Sequence, residues 1–258
     1  MNRITQLFES CKQGGILSVY FTAGYPALHD TKPILEALES RGVHMAEIGI
    51  PFSDPLADGP VIQQSSAQAL RNGMSLRLLF RQLRDIRRTV NIPLILMGYL
   101  NPVMQYGFEA FCRACTDAGI DGIIIPDLPF DDYTASYKAT AERHGLKIIM
   151  LVTPETPDAR IRLIDRHTGG FIYAVSSASV TGAQKEFDEN SQAFFRRIRA
   201  MHLRNPHLIG FGVGNKATYD AALAHAHGAI IGSRFVGLLQ QSASPEEAVD
   251  RLLRAITV

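Results

Sequence analysis

The sequence predicts an α/β fold of the (β/α)₈ barrel type, and three observations lead to this prediction. First, eight short segments rich in Ile, Leu and Val recur along the chain. Their nearly continuous apolar character is typical of parallel strands that are buried on both faces. Second, helical patterns fill the gaps between these segments. Third, eight strand–helix units in 258 residues fit the size of such a barrel. A doubly wound open sheet is the alternative.

The eight predicted strands share a length of about five to seven residues, which is the usual length of a strand. In chain order they are Ile16–Thr22, Met45–Ile50, Pro93–Gly98, Gly122–Pro126, Lys147–Thr153, Gly170–Val175, His207–Val213 and Gly228–Gly232.

The predicted helices place apolar residues at helical spacing, as helices that pack on a sheet do. Ser75 is a candidate N-cap, and Gly119 and Gly145 stand where helices commonly end. The helices are Pro33–Ser40, Ser75–Val90, Phe108–Ala118, Thr134–His144, Ala159–Arg166, Ser191–Leu203, Ala217–Ala226 and Pro245–Ile256.

Residues 1–14 predict an additional helix that closes the bottom of the barrel, because Ile4, Leu7, Phe8 and Cys11 fall on one face. No linker rich in Pro, Gly or Ser divides the chain, so we expect one domain over residues 1–258. The N-terminus lacks a signal-peptide pattern and no apolar run reaches membrane-span length. These features predict a soluble, cytoplasmic protein.

Composition excludes several classes of protein. Hydrophobic residues make up 46% of the chain and charged residues 20%, which argues against disorder. The net charge of +1 lacks the basic excess of a nucleic-acid-binding protein. Cys112 and Cys115 fall within a helical pattern without a second cysteine pair, so we expect no metal site.

Glu47 is the first candidate catalytic residue, because it lies inside an otherwise apolar strand. Alternation places it on one face with Met45 and Gly49, while Ala46 and Ile48 take the opposite face. The bulkier face suits the helices, which leaves Glu47 directed into the barrel. A buried carboxyl group has a raised pKa and is suited to acid–base chemistry near neutral pH. A structural carboxylate paired with an internal cation is the alternative.

The loop that follows this strand contains three prolines and the acidic residues Asp54 and Asp58. Prolines restrict the loop, and loops at the carboxyl ends of barrel strands carry the catalytic groups of this fold. The loop is therefore a candidate for a second catalytic carboxylate, with a solvated surface loop as the alternative.

The last two strands end in glycine-rich turns, Gly210-Phe211-Gly212-Val213-Gly214 and Gly228-Ala-Ile-Ile-Gly232-Ser233. Glycines allow backbone N–H groups to approach an anion, and Ser233 opens the next helix, whose N-terminus favours negative charge. Loops after strands seven and eight hold phosphate in many barrels. The polar loop after the sixth strand, which contains Gly182, is long enough to fold over a ligand.

These motifs together resemble the tryptophan synthase alpha subunit family. The most specific segment is residues 47–63, EIGIPFSDPLADGPVIQ, and the resemblance extends over essentially the whole chain. It continues through Phe21–Pro26, Met97–Pro102, Gly122–Pro129, Val180–Gly182, Gly210–Val213 and Gly232-Ser233.

The resemblance implies a (β/α)₈ lyase that cleaves indole-3-glycerol phosphate to indole and glyceraldehyde 3-phosphate. Glu47 and Asp58 match the family's catalytic carboxylates. The positions that match substrate contacts are Tyr20, Tyr173, Thr181, Gly182, Phe211, Gly212, Val213, Gly232 and Ser233, and Thr181 also matches a threonine that positions the Asp58 loop.

The resemblance also implies a beta-subunit partner in an alpha-beta-beta-alpha heterotetramer, contacted through Pro51, Asp54 and Pro55. That partner holds pyridoxal phosphate, and we expect no cofactor in this chain. The chain departs from the family pattern at Ser177 and Ser179, and at Tyr20, where an apolar aromatic residue is common.

Three other functions are compatible with parts of the pattern. The first is a free-standing lyase that releases indole without a partner, and the second is a catalytically silent barrel that only activates a beta subunit. The third is another phosphate-binding barrel, such as a sugar-phosphate epimerase. The retained Glu47 and Asp58 argue against a silent barrel, and no predicted strand ends in the histidine that an epimerase metal site needs.

Overall fold

The computed structural model describes residues 1–12, 14–176 and 186–257. Its eight parallel strands close into a barrel in sequence order, with the first strand pairing with the eighth. The strands are β1 (Ile16–Thr22), β2 (Met45–Gly49), β3 (Leu94–Met97), β4 (Gly122–Ile124), β5 (Lys147–Val152), β6 (Ile172–Val175), β7 (His207–Gly210) and β8 (Gly228–Ile231). The closed barrel confirms the predicted fold class and excludes the open sheet.

Helices lie between the strands and around them. They are α1 (Arg3–Ser10), α2 (Thr31–Ser40), α3 (Pro60–Arg71), α4 (Leu76–Leu83), α5 (Leu100–Tyr106), α6 (Phe108–Asp117), α7 (Phe130–Asp132), α8 (Lys138–Arg143), α9 (Asp158–His167), α10 (Glu189–Ala200), α11 (Lys216–Leu223), α12 (Ser233–Gln240) and α13 (Pro245–Thr257).

Among the helices predicted after the first strand, two differ from the observed ones by more than a shift of up to three residues at their ends. The helix predicted over Ser75–Val90 ends at Leu83, and a 3₁₀ turn at Ile86–Arg88 completes the segment. The helix predicted over Thr134–His144 starts earlier, at Phe130, and passes through a π-helical turn at Tyr133–Tyr137 before α8. Ser75 caps α4 as predicted, because its side chain accepts a hydrogen bond from the Leu78 N–H.

Two packed layers follow from the alternation of side chains along each strand. Ala46 and Ile48 of β2 pack outward, in the layer between the strands and the helices, whereas Met45 packs inside the barrel. This arrangement confirms the predicted facing of β2, so Glu47 shares the inner face with Met45.

Helix α1 closes the bottom of the barrel, as predicted. Ile4 is fully buried in the barrel-interior cluster, and Leu7, Phe8 and Cys11 pack against that cluster. Arg3 Nη1 forms an ion pair with the buried Asp121 at 3.2 Å. The bottom of the barrel interior is therefore filled by packed side chains.

Candidate active site

Glu47 lies at the centre of β2, opposite Tyr20 of β1 and Ile95 of β3 in the strand register. Its side chain is fully buried. Glu47 Oε1 accepts a hydrogen bond of 2.8 Å from the Ser18 hydroxyl, whereas Oε2 has no hydrogen-bond partner among the described residues. Burial raises the pKa of Glu47 to about 8, and the Ser18 hydrogen bond opposes that rise.

Asp58 lies in the loop after β2, immediately before the Gly59-Pro60 start of α3. Its Oδ2 accepts a hydrogen bond of 3.1 Å from the Tyr99 hydroxyl, and its carbonyl oxygen accepts one of 2.7 Å from Gln63 Nε2. Burial raises the pKa of Asp58 to about 6, while the Tyr99 hydrogen bond lowers it. At neutral pH, Glu47 is therefore mostly protonated and Asp58 mostly ionised.

Two tyrosines enclose the space next to these carboxyl groups, and each lies against a glycine of the neighbouring strand. A Cβ atom on Gly49 would lie 2.1 Å from Tyr20 Oη, and one on Gly210 would lie 2.3 Å from Tyr173 Oη. Because a side chain at either position would collide with the tyrosine, these glycines leave room for the two rings.

The other side of the space consists of backbone at the ends of β7 and β8. Phe211 and Gly212 both have positive φ, 66° and 76°, a conformation in which successive N–H groups can form a concave anion site. The Ser176 hydroxyl donates a 2.7 Å hydrogen bond to the Phe211 carbonyl oxygen. Gly232 precedes α12, which begins at Ser233, so a helix N-terminus faces the same region.

A cleft of about 490 Å³, counted with its open mouth, joins these groups. The sequence-predicted residues that line it are Tyr20, Asp58, Tyr173, Phe211, Gly212, Val213, Gly232 and Ser233. Sequence reasoning missed four further lining residues, which are Ile62, Met97, Ile230 and Arg234. Glu47 is buried in the inner wall of the barrel, close enough to Tyr173 and Tyr20 to affect the pKa of each.

Several predicted residues lie outside the described part of the chain. Thr181 and Gly182 fall between residues 176 and 186, as do Ser177 and Ser179, where the chain departs from the family pattern. Their predicted roles stay predictions.

The predicted partner contacts lie on the loop that carries Asp58. Asp54 is exposed and Pro55 half-buried, but Pro51 is buried, so two of the three present surface. Leu56, which directly follows Pro55, is 92% exposed, a feature that sequence reasoning did not single out. A single exposed side chain of this size is ordinary and by itself marks no contact.

The structure also shows where the cysteine pair lies, whether side chains are grouped to hold a metal ion, and how long and apolar the helices are. Cys112 and Cys115 are buried in α6, and burial raises the pKa of both thiols. Within residues 1–12, 14–176 and 186–257, no set of three or more His, Cys, Asp or Glu side chains is arranged to hold a metal ion. None of the helices described is both long and apolar enough to span a membrane.

Comparison with known proteins gives one consistent family. The model of the tryptophan synthase alpha chain family matches residues 8–257. The tryptophan synthase alpha chain of Parabacteroides distasonis is 68% identical over 99% of both chains, and that of Phocaeicola vulgatus is 61% identical over 99% of both.

Solved structures that resemble this chain belong to the same family. Tryptophan synthase subunit alpha from Legionella pneumophila superposes with a TM-score of 0.89 at 32% identity, covering 99% of this chain and 97% of the other. A chain of Mycobacterium tuberculosis tryptophan synthase gives a TM-score of 0.86 at 31% identity, over 97% and 98%. This chain therefore belongs to the tryptophan synthase alpha chain family.

Proposed function

We propose that this chain cleaves indole-3-glycerol phosphate to indole and glyceraldehyde 3-phosphate, as the alpha subunit of a tryptophan synthase. One observation carries the proposal. Two carboxyl groups occupy different environments on one side of the cleft: Asp58 lines it, and Glu47 is buried in the barrel wall behind the lining residues Tyr20 and Tyr173. The other side of the cleft is formed by the ends of β7 and β8 and the N-terminus of α12. An indole ring and a phosphate at opposite ends of one substrate match these two sides.

The reaction is a retro-aldol cleavage that needs three events. A proton is added to indole C3, the bond from C3 to the hydroxyl-bearing side-chain carbon breaks, and that hydroxyl loses its proton as the carbon becomes an aldehyde. The bonding electrons return to the indole ring, which is positively charged after protonation. One proton enters and one leaves, so the products balance the substrate.

Glu47 is the group we assign to both proton transfers. Its carboxyl is mostly protonated near neutral pH, so it can donate its proton to C3 and then take the proton of the hydroxyl. A pKa near the operating pH suits a group that acts first as an acid and then as a base. The Ser18 hydrogen bond to Oε1 fixes one oxygen, and Oε2, which has no partner among the described residues, is the oxygen assigned to the transfer.

Asp58 is the group that we assign to the indole nitrogen. Its carboxylate is mostly ionised at neutral pH, so it can accept a hydrogen bond from the ring N–H and stabilise the positive charge that develops there. Environments that separate the pKa values of two carboxyl groups divide their roles in the same way in other enzymes.

The phosphate fits the glycine-rich ends of β7 and β8. Gly212, Val213, Gly232 and Ser233 supply backbone N–H groups there, and α12 adds the positive end of its dipole. Tyr20 and Tyr173 would flank the indole ring, and Gly182 would add a further donor to the phosphate.

We further propose a beta-subunit partner in an alpha-beta-beta-alpha heterotetramer. Asp54 and Pro55, next to the exposed Leu56, are the proposed contacts. The beta chain would hold pyridoxal phosphate and receive indole, so this chain itself needs no cofactor. A soluble complex in the cytoplasm, with residues 1–258 as one domain, is consistent with this role.

An indole-release assay tests the proposal. Purified chain is mixed with indole-3-glycerol phosphate, alone and with a tryptophan synthase beta chain. We expect slow cleavage alone and faster cleavage with the partner. Equal, fast cleavage under both conditions would indicate a free-standing lyase. No cleavage under either condition would indicate a silent barrel and would overturn the proposal.

A further inference from the structure

We infer that Tyr99 is a positioning residue that holds the Asp58 carboxylate and its loop ready for the substrate. This inference rests on the proposed function, because the carboxylate it positions is the one assigned to the indole nitrogen. Tyr99 lies within the Met97–Pro102 segment of the family resemblance, but no role was predicted for it from the sequence.

Tyr99 contacts the loop at three points. Its hydroxyl donates a 3.1 Å hydrogen bond to Asp58 Oδ2 and accepts a 3.0 Å hydrogen bond from the Ala57 N–H. Its ring lies 5.3 Å, centroid to centroid, from that of Phe52. One side chain therefore contacts the beginning of the loop, its end and the reacting group itself.

The position of Tyr99 is itself well fixed. The residue is buried and forms the N-cap position of α5, two residues after β3 ends. The next N–H, from Leu100, donates a 2.8 Å hydrogen bond to Asp127 Oδ1 in the following strand–helix loop. Groups at strand ends are held more precisely than groups on loops. Tyr99 therefore fixes the position of a loop whose tip, at Leu56, is exposed.

The hydrogen bond also has a chemical effect on the carboxylate. Burial raises the pKa of Asp58, and the hydrogen bond from Tyr99 lowers it, because a donor stabilises the ionised form. Burial and the charge of Asp58 raise the pKa of Tyr99 above its ordinary value, so the phenol remains a donor at neutral pH. Tyr99 therefore keeps more of Asp58 ionised than burial alone would allow.

The substitution Tyr99→Phe removes the hydroxyl and keeps the ring on Phe52. We expect kcat to fall about tenfold and the acid limb of the kcat/KM pH profile to move upward by roughly half to one pH unit, because the pKa of Asp58 rises. Binding of glycerol 3-phosphate, which occupies only the phosphate end, should change less than twofold. Tyr106→Phe is the matched control, since Tyr106 ends the same helix and packs on Phe80 and Phe111; it should leave kinetics unchanged.

A second measurement does not depend on turnover. The carboxyl carbon of Asp58 is titrated by NMR in protein labelled with ¹³C-aspartate and assigned with Asp58→Asn. The pKa of Asp58 should be higher in Tyr99→Phe than in the wild type or in Tyr106→Phe. An unchanged pKa, or an unshifted pH profile in an otherwise less active variant, would overturn the inference. A wild-type chain that cleaves no substrate, but whose Asp58 pKa responds to Tyr99→Phe, would overturn the proposed function and leave the positioning role standing.

Discussion

The Ser18 hydroxyl donates a hydrogen bond of 2.8 Å to Glu47 Oε1 inside the barrel. Both side chains are fully buried, so the serine directs the carboxyl group and satisfies one of its oxygens. Burial raises the pKa of Glu47 and the hydrogen bond from Ser18 lowers it, and with both effects the pKa is about 8. The chain therefore holds a buried carboxyl group that retains its proton near neutral pH. Its burial lowers the free energy of unfolding above pH 4.5, and this effect can be measured.

The first prediction concerns the pH dependence of stability. The pKa of Glu47 rises from an ordinary 4.5 to about 8 on folding, so between these values the unfolded chain releases a proton that the folded chain retains. The contribution of Glu47 to the free energy of unfolding should therefore fall as pH rises from 4.5 to 8, whereas the buried His207, whose pKa is lowered to about 4, contributes in the opposite direction below pH 6.5. Glu47→Gln removes the contribution of Glu47 and should be more stable than the wild type at pH 8, by up to a few kcal/mol, with little difference near pH 4.5.

Urea unfolding at several pH values measures this difference. Glu155→Gln serves as the control, because Glu155 is exposed and its replacement should leave the pH dependence as in the wild type. If Glu47→Gln and the wild type keep a constant difference from pH 4.5 to 8, the pKa of Glu47 is not raised by folding.

Replacement of Asp58 by asparagine keeps the size of the side chain and its acceptor for Tyr99, but removes the charge. We expect kcat to fall by roughly 10²–10³-fold, the effect of losing one charge-stabilising group, with glycerol 3-phosphate affinity nearly unchanged. Steady-state kinetics and calorimetric binding measure the two quantities. Near-normal turnover would contradict the role assigned to Asp58.

The phosphate end can be tested by a substitution with opposite effects on folding and binding. Ser233→Asp places a carboxylate at the first residue of α12. There it interacts favourably with the helix dipole but repels a phosphate. We expect equal or slightly higher thermal stability and at least a tenfold higher KM. Ser233→Ala, which adds no charge, should raise KM far less, and equal KM values for the two variants would argue against a phosphate at this helix.

Gly49 tests the packing of Tyr20. A Cβ at Gly49 would lie 2.1 Å from Tyr20 Oη and 2.5 Å from Cζ, so Gly49→Ala must displace the ring of Tyr20, which lines the cleft. Overpacking of this kind costs about 1–3 kcal/mol, and we expect KM to rise as well. The control is Gly237→Ala in α12, where a Cβ meets open space and should stabilise the helix by about 0.5–1 kcal/mol. A fully active and stable Gly49→Ala would contradict the close contact.

The sequence was sufficient for the barrel because strand order and inner–outer alternation follow from local apolar patterns, as at Met45 and Ile48. It was less informative where the buried face of a helix is small or polar. Helix α3 buries Ser65, Ser66 and Ala69 alongside Ile62, and Ser65 hydrogen bonds to Thr22 at 2.6 Å. Such a face produces little hydrophobic periodicity, so α3 was not predicted.

The residues of the candidate site could likewise be predicted only where a local sequence pattern marks them. Glu47 could be found because a glutamate is unusual within an apolar strand, and the glycine turns after β7 and β8 because phosphate loops have that composition. Tyr99 could not be found in this way, because its contact with Asp58 joins residues 41 positions apart and depends on the path of the loop. Met97, the last residue of β3, and Arg234, the second residue of α12, also line the cleft, but neither residue type was recognised in the sequence as a sign of a binding role.

We assign both proton transfers of the cleavage reaction to Glu47. The most direct measurement is the rate of indole release from indole-3-glycerol phosphate by the wild type and by Glu47→Gln, each with saturating substrate and beta chain. Glutamine keeps the size and can accept from Ser18, but it cannot exchange a proton. We predict release by the wild type and a loss of roughly 10²–10⁴-fold or more in the variant; a Glu47→Gln chain that releases indole at the wild-type rate would contradict the account.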